Sequence, residues 1–478
     1  VRNDKLNQLR EQIRRRRPIG LPPLLAAAIL LGCQEQKSGI NEVSGTRLPR
    51  HEISQSRCVD CNVVLITIDT LRADHLSIYG YHRETTPEMD AFGRSGLVFE
   101  RAVAQSCWTT PSMLSMMTSK YVSRLTFDRT TQEYLDPRLA ELFSDAGYAT
   151  AAFVAHPALA GGYEQGFDVY DQSAATPKDT VSSEGVTTAA LRWVEEIGDR
   201  KFFLWVHYFD PHNDYVPPPP FDEMYTGGYE GKLEKGFHMG RARRSFRTDK
   251  LTKADVDFVM GLYDGEVSFT DSHIGRLLDA LEADGRAGNI VAIGSDHGEE
   301  FGERDTIGQH RTTVHAEQVH TPLLLRFPGV QPGRTSEWAA NLDIAPTLLD
   351  LAGLEVPENF EGQNLLDDKG RPILAECDYV KRDGKRRYPK KVAALYDGNV
   401  KVMHHFHDGW TRVFDGLEDP TELRDLSAES PELTTEYRER LLEIVLSDEK
   451  AQAYYGDIEA PMIDDETRKK LEALGYVM

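Results

Sequence analysis

The chain has 478 residues, with 77 acidic against 55 basic side chains and a formal net charge of −22. That balance lacks the basic footprint of nucleic-acid binding, so no nucleic-acid partner is expected. Length and a 40% hydrophobic content describe a globular chain with room for one large domain or two unequal ones.

Basic residues are concentrated at the start, where Arg14 to Arg17 precede an apolar stretch from Pro18 to Leu31. A positive flank followed by a short apolar run predicts an export signal, and the run is too short for a comfortable membrane span. Its ending, Leu30-Leu31-Gly32-Cys33, resembles a bacterial lipobox. That resemblance implies cleavage before Cys33 and lipid on the cysteine. The product would be a membrane-anchored lipoprotein facing the periplasm or the cell exterior. Residues 34–61 are polar and aperiodic and read as a tether. Within it Cys58 and Cys61 form a C-x-x-C, for which a local disulfide suits an exported protein. Zinc would need two more ligands nearby. Thioredoxin-like chemistry would need the pair at a helix start, whereas here a strand follows. Cys107 and Cys377 stand singly and are expected to be buried thiols.

The run Asn62 to Asp69 is continuously apolar up to its final carboxylate, which predicts a doubly buried parallel strand with Asp69 at its carboxyl end. Ligands of open α/β sheets gather at such ends. The stretch from Ala104 to Thr118 reads as a loop turning into a helix. Pro111 fits the first turn, Met113 to Met117 form the helix, and Thr109 and Thr110 sit just before it. A hydroxyl there is placed either to cap the helix or to attack an anionic ester. An amphipathic helix over 136–147, a strand over 149–154 and a helix over 186–197 follow. Lys201 to Asp210 predicts a further strand, ending in His207, Asp210 and His212. Residues 222–250 read as an insertion, 255–283 as a long helix, and 289–296 as a strand ending in Asp296-His297. A strand over 321–327 and a helix over 343–352 complete a mostly parallel α/β sandwich. Beyond about residue 370, three short strands and a helix over 431–447 predict a small antiparallel sheet packed on the main domain.

Three strand ends thus offer potential ligands: Asp69, the Asp210/His212 pair, and Asp296-His297, with Thr109 nearby. Their convergence on one sheet edge predicts a divalent-metal site. Carboxylates suit hard cations, and an imidazole shifts the preference toward Mn or Zn.

Several segments carry a resemblance to the sulfatase branch of the alkaline phosphatase superfamily. They are Asn62 to His75, Trp108 to Ser112, His207 to His212, Tyr263-Asp264 through Leu281, Gly294 to Glu299, Asn341 to Asp350, and the tail Phe414 to Glu422. The resemblance implies an alkaline phosphatase-like fold. It implies a catalytic domain over 62–368 and a C-terminal subdomain over 369–478, behind the signal segment 1–33 and the tether 34–61. It implies a single divalent ion, Ca by resemblance, held by Asp69, Thr70, Asp296 and His297 with the Thr109 oxygen close by. Thr70 stands where many members have a second carboxylate, which should weaken metal affinity. His212 and His310 fall where the family contacts the transferred anion or protonates the leaving oxygen. His310 replaces a frequent Lys, and His315 a common Tyr whose role here stays open.

The largest departure is at the nucleophile. Sulfatases begin their signature with Cys or Ser, which is converted to formylglycine. This chain reads Thr109-Thr110-Pro111-Ser112-Met113. Oxidising a Thr gives a ketone, so no formylglycine is expected, and Met113 removes the supporting Arg. A Thr-sulfate cannot expel sulfate by re-forming a carbonyl, whereas a Thr-phosphate can be resolved by water or an alcohol. The expected activity is therefore hydrolysis of sulfate or phosphate esters by a Thr nucleophile that favours phosphoesters. The expected partners are a sulfated or phosphorylated small molecule, glycan or lipid head group. The alternatives are a phospho-group transferase and an inactive binder of sulfated or phosphorylated glycans.

Overall fold

The computed structural model describes residues 57–456, except 129–132, 160–161, 176–181, 234, 236–238, 247–250, 284–287, 305, 368–369 and 384–385. The signal segment, Cys33 and nearly all of the tether lie outside the described residues, and so does the lipoprotein expectation. The described residues fall within one compact unit. No helix among them is long and apolar enough to cross a membrane.

Nine strands form the central sheet: β1 (Asn62–Ile68), β2 (Leu97–Val103), β3 (Ala149–Val154), β4 (Val169–Asp171), β5 (Phe202–Tyr208), β6 (Asn289–Ser295), β7 (His320–Thr321), β8 (Leu323–Arg326) and β9 (Gly333–Ala340). Their order is β7-β2-β8-β6-β1-β5-β3-β4, with β9 paired to β2 off this path. β6, β1, β5, β3 and β4 run parallel. β8 is antiparallel to β6 and β2.

The apolar run of β1 follows from burial on both faces. Val64, Ile66 and Ile68 enter one core with α1 (Pro87–Arg94), α4 (Ser183–Glu196) and the long helix α5 (Lys253–Ala283). Val63 and Leu65 enter the other, with α2 (Thr109–Thr118), α3 (Leu139–Asp145) and α6 (Ile344–Leu351). Each such side chain contributes about 1.5–3 kcal/mol on burial. The register pairs Ile68 with Tyr208 of β5 and Ser295 of β6, so three strands end together. That alignment delivers Asp69 and Asp296 to one edge.

Two expectations are corrected. Thr109 and Thr110 lie within the first turn of α2, whose N-cap is Trp108, so neither hydroxyl is a side-chain cap. Cys107 and Cys377 are bonded to each other, 270 residues apart in sequence. Ser106 forms a bridge with Glu376, which brings the two cysteines together. Cys58 and Cys61 are also bonded.

The second sheet is antiparallel, in the order β10 (Ile373–Asp383), β11 (Arg386–Asp397), β12 (Val400–His405), β13 (Thr411–Asp415). Leu441, Leu442 and Val445 of α7 (Pro431–Val445) share its core with Val402 and Val413.

Candidate active site

Asp69, Asp296 and His297 each offer a ligand atom, and these atoms lie within 4.8 Å of one another with all three residues buried. Asp69 Oδ1 and Asp296 Oδ2 are buried without a hydrogen-bond partner, as is Thr70 Oγ1. Buried orphan oxygens are costly unless something else satisfies them. His297 donates Nδ1–H to the Gly298 carbonyl at 2.9 Å, which leaves the Nε2 lone pair facing the two carboxylates. A carbonyl on the far ring nitrogen is the arrangement that fixes a metal-binding tautomer. The donor set therefore fits a divalent cation. Without one, burial first and then the Asp296 charge push the Asp69 carboxyl well above the usual carboxylate range. A bound cation reverses that logic.

Thr70 sits at φ +54°, in the left-handed region, where a β-branched residue is rare. Its N–H donates to Asp296 Oδ1 at 3.2 Å, and its carbonyl accepts from the Tyr263 hydroxyl at 2.9 Å. These bonds hold its hydroxyl in the buried cluster. Such strain is characteristic of functional positions.

Thr109 Oγ1 lies 3.2 Å from His297 Nε2 and donates to Asp69 Oδ2 at 3.4 Å. The first turn of α2 is tied down from three sides. Ser112 donates to the Asp296 carbonyl at 2.5 Å, Tyr163 donates to the Thr110 carbonyl at 2.7 Å, and Cys107 carries the disulfide. That disulfide also removes Cys107 as an oxidisable thiol beside Thr109.

Imidazoles surround this centre. His310 Nδ1 bonds Glu299 Oε1 at 3.0 Å, and its ring centroid is 4.4 Å from that of His297. Glu299 is fully buried and also accepts from Asn213 and Tyr215. His212 donates Nδ1–H to the Asn213 carbonyl at 2.9 Å, and its ring lies 5.1 Å from that of His310. Burial, then the His310 charge, lowers His212 to about 3, so it is neutral at physiological pH.

Two further histidines join the cluster: His156, not named from the sequence, and His207, named only as a polar group near the end of its strand. His156 follows two residues after β3 and places Nε2 3.4 Å from Asp69 Oδ2. Its Nδ1 accepts the Ala158 N–H at 2.9 Å, so Nε2 carries the proton. His207 is fully buried in β5, with Nε2 3.6 Å from the same oxygen. A polar residue at a strand's carboxyl end was the available signal for His156.

Asp210, expected at the ligand edge, and His315, whose role the sequence left open, make other contacts. Asp210 does not join the ligand group; it accepts the Ser182 and Ser183 N–H groups at 2.9 Å, beside the start of α4. His315 bonds Glu422, which also pairs with the buried Lys401, and so ties the loop after Asp296 to the C-terminal sheet. At the rim, Arg311 is exposed, with its guanidinium 3.6 Å from the centroid of the Trp108 ring. Its backbone N–H donates to the Cys107 carbonyl at 2.9 Å.

Comparison with known proteins places this geometry. Residues 61–354 match the family model described as Sulfatase, and residues 308–447 match the N-sulphoglucosamine sulphohydrolase C-terminal model. The chain is 22% identical to an N-acetylglucosamine-6-O-sulfatase of Bacteroides thetaiotaomicron, over 83% of this chain and 87% of the relative. The phosphonate monoester hydrolase SpPMH of Silicibacter pomeroyi superposes with a TM-score of 0.65 at 20% identity, over 80% of this chain and 95% of that one. BT4656, solved with its substrate D-glucosamine-2-N,6-O-disulfate, superposes with a TM-score of 0.66 at 19% identity, over 85% of this chain and all of that one. The chain belongs to the sulfatase family of the alkaline phosphatase superfamily.

Proposed function

We propose that this chain is an exported, metal-dependent ester hydrolase in which unmodified Thr109 is the nucleophile and phosphate esters are preferred over sulfate esters. The observation that carries the reading is the seat of Thr109 Oγ1, between His297 Nε2 and Asp69 Oδ2, with the neighbouring cysteine locked in a disulfide. Similarity to both a sulfatase and a phosphonate monoester hydrolase supports hydrolysis at either sulfur or phosphorus.

Asp69, Asp296 and His297 would hold the metal, with Thr70 Oγ1 in reach of the same cluster. Bound there, a divalent ion supplies Lewis-acid stabilisation of the transferred group's oxygens and of the Thr109 alkoxide. Two carboxylates suit Ca, and the imidazole ligand favours Mn or Zn. Thr109 gives up its hydroxyl proton, with Asp69 Oδ2 in place to accept it, and Oγ1 forms a bond to phosphorus as the ester C–O–P linkage breaks. His310, oriented by Glu299 through Nδ1, delivers a proton from Nε2 to the departing oxygen. The exposed Arg311 provides donors for the rest of an anionic substrate, and His212, whose ring proton is on Nδ1, offers Nε2 as an acceptor to a protonated oxygen of the substrate. Water then attacks phosphorus with His310 taking the water's proton, the Thr109–phosphorus bond breaks, and Asp69 returns its proton to Thr109 Oγ1 as phosphate is released. A Thr-sulfate has no carbonyl-forming exit and resolves only by attack at sulfur, which favours phosphorus.

Export is supported by the two disulfides, which persist in oxidising compartments. A Cys33→Ala variant should move from the membrane to the soluble fraction. The activity is tested by presenting nitrophenyl phosphate, nitrophenyl phosphonate and nitrophenyl sulfate to the purified soluble domain with Ca, Mn or Zn. Phosphoester turnover above sulfate turnover supports the reading, and sulfate turnover alone overturns the preference.

A further inference from the structure

The three ligating groups do not explain how Asp69 is held. Its two oxygens differ: Oδ1 is an orphan facing the His297 side, whereas Oδ2 faces Thr109, His156 and His207. His207 lies outside the group of converging ligand atoms, yet it is fully buried and its Nε2 has no hydrogen-bond partner. Behind it stands a chain of buried polar atoms. Trp205 Nε1–H donates to Thr67 Oγ1 at 2.9 Å, and Thr67 Oγ1 lies 2.8 Å from His207 Nδ1. The indole proton occupies one lone pair of the Thr67 oxygen. With the Thr67 hydroxyl donating to His207 Nδ1, the ring proton lies on Nε2, 3.6 Å from Asp69 Oδ2. The strand register builds this chain, because Thr67 and His207 are paired neighbours on parallel strands. Thr67 and Asp69 are two residues apart, as are Trp205 and His207, so each pair shares a face of the sheet.

We propose that His207, set in one tautomer by Thr67 and Trp205, is a positioning residue that holds Asp69 Oδ2 and turns Oδ1 to the metal. The proposal rests on the metal-site reading above and does not depend on the substrate. Outer partners of this kind typically set metal affinity by 10–100-fold.

The test measures Mn2+ affinity by titration calorimetry for the parent chain and for His207→Phe, Thr67→Val and Thr67→Ser, with melting temperature as the control for folding. His207→Phe should weaken binding by about 10–100-fold. The near-isosteric Thr67→Val should weaken it in the same direction, while Thr67→Ser, which keeps the hydroxyl, should restore parental affinity. Nitrogen-15 spectra of labelled histidine should show His207 protonated at Nε2 in the parent and in Thr67→Ser, and a tautomer mixture in Thr67→Val. Parental affinity in folded Thr67→Val and His207→Phe overturns the positioning role. A parent chain that binds no Mn2+, Ca2+ or Zn2+ overturns the metal-site reading itself, a distinct result.

Discussion

Removing the Cys107–Cys377 disulfide should destabilise the fold and slow the chemistry together. The bond closes a loop of 270 residues in the unfolded chain. In the chain-entropy treatment a loop of that length removes roughly 19 cal/mol/K, which is about 5.6 kcal/mol at 25 °C. Spread over the unfolding entropy of a domain of about 400 residues, that lowers the melting temperature by roughly 6–7 °C. The Cys58–Cys61 pair is only three residues apart and should contribute about 1.6 kcal/mol by the same formula. The assay compares thermal melts of the parent, the Cys107→Ala/Cys377→Ala double variant and the Cys58→Ala/Cys61→Ala double variant, with ester turnover beside them. Because Cys107 precedes Thr109 by two residues, the first double variant should also lose kcat at temperatures where it stays folded. A melt within 1 °C of the parent, or a larger loss from the Cys58 pair, would refute the reasoning.

Further outcomes follow from the same site. His310→Gln should lower kcat by about 10²–10⁴ for alkyl esters, and far less for nitrophenyl esters, whose departing oxygen needs no proton; equal losses would remove His310 as the acid. Thr70→Asp adds a carboxylate at a left-handed position that Asp tolerates better than Thr, and should tighten divalent-cation binding by roughly tenfold in a calorimetric titration. Burial raises Glu300 from its ordinary 4.5 to about 7. The folded state therefore holds this proton more tightly than the unfolded state does. Its contribution is complete below pH 4.5 and is lost as pH rises to about 7, by about 3 kcal/mol at most. Glu300→Gln should flatten the denaturation midpoint across that pH range, and an unchanged slope would contradict the shift.

The parallel centre of the fold was legible because burial on both faces writes continuous apolar runs, as in Asn62 to Ile68 and Phe202 to Val206. β2 was not, because Glu100 and Arg101 interrupt it where it is only half buried, and β9 reads as polar for the same reason. β8 was visible as a strand, but nothing local tells it to run antiparallel to β6. Asp69, Asp296 and His297 announced themselves as polar groups at the ends of apolar strands. Asp210 carried the same signal and serves α4 instead, since a carboxylate beside a helix start and one beside a cation look alike in sequence. The Cys107–Cys377 bond depends on packing across 270 residues, which single cysteines do not disclose. His207 was visible as a polar group near the end of its strand, but its place beside Asp69 was not, because strand order and register decide which neighbour its unpartnered nitrogen meets.

The central claim is that Thr109 itself bonds to the transferred group. The parent soluble domain, loaded with Mn2+, is mixed with nitrophenyl phosphate, quenched in acid during turnover, digested and weighed by mass spectrometry. The account predicts a phosphate adduct on Thr109, and no adduct or turnover in Thr109→Ala. Turnover that persists in Thr109→Ala, or an adduct on another residue, would contradict it.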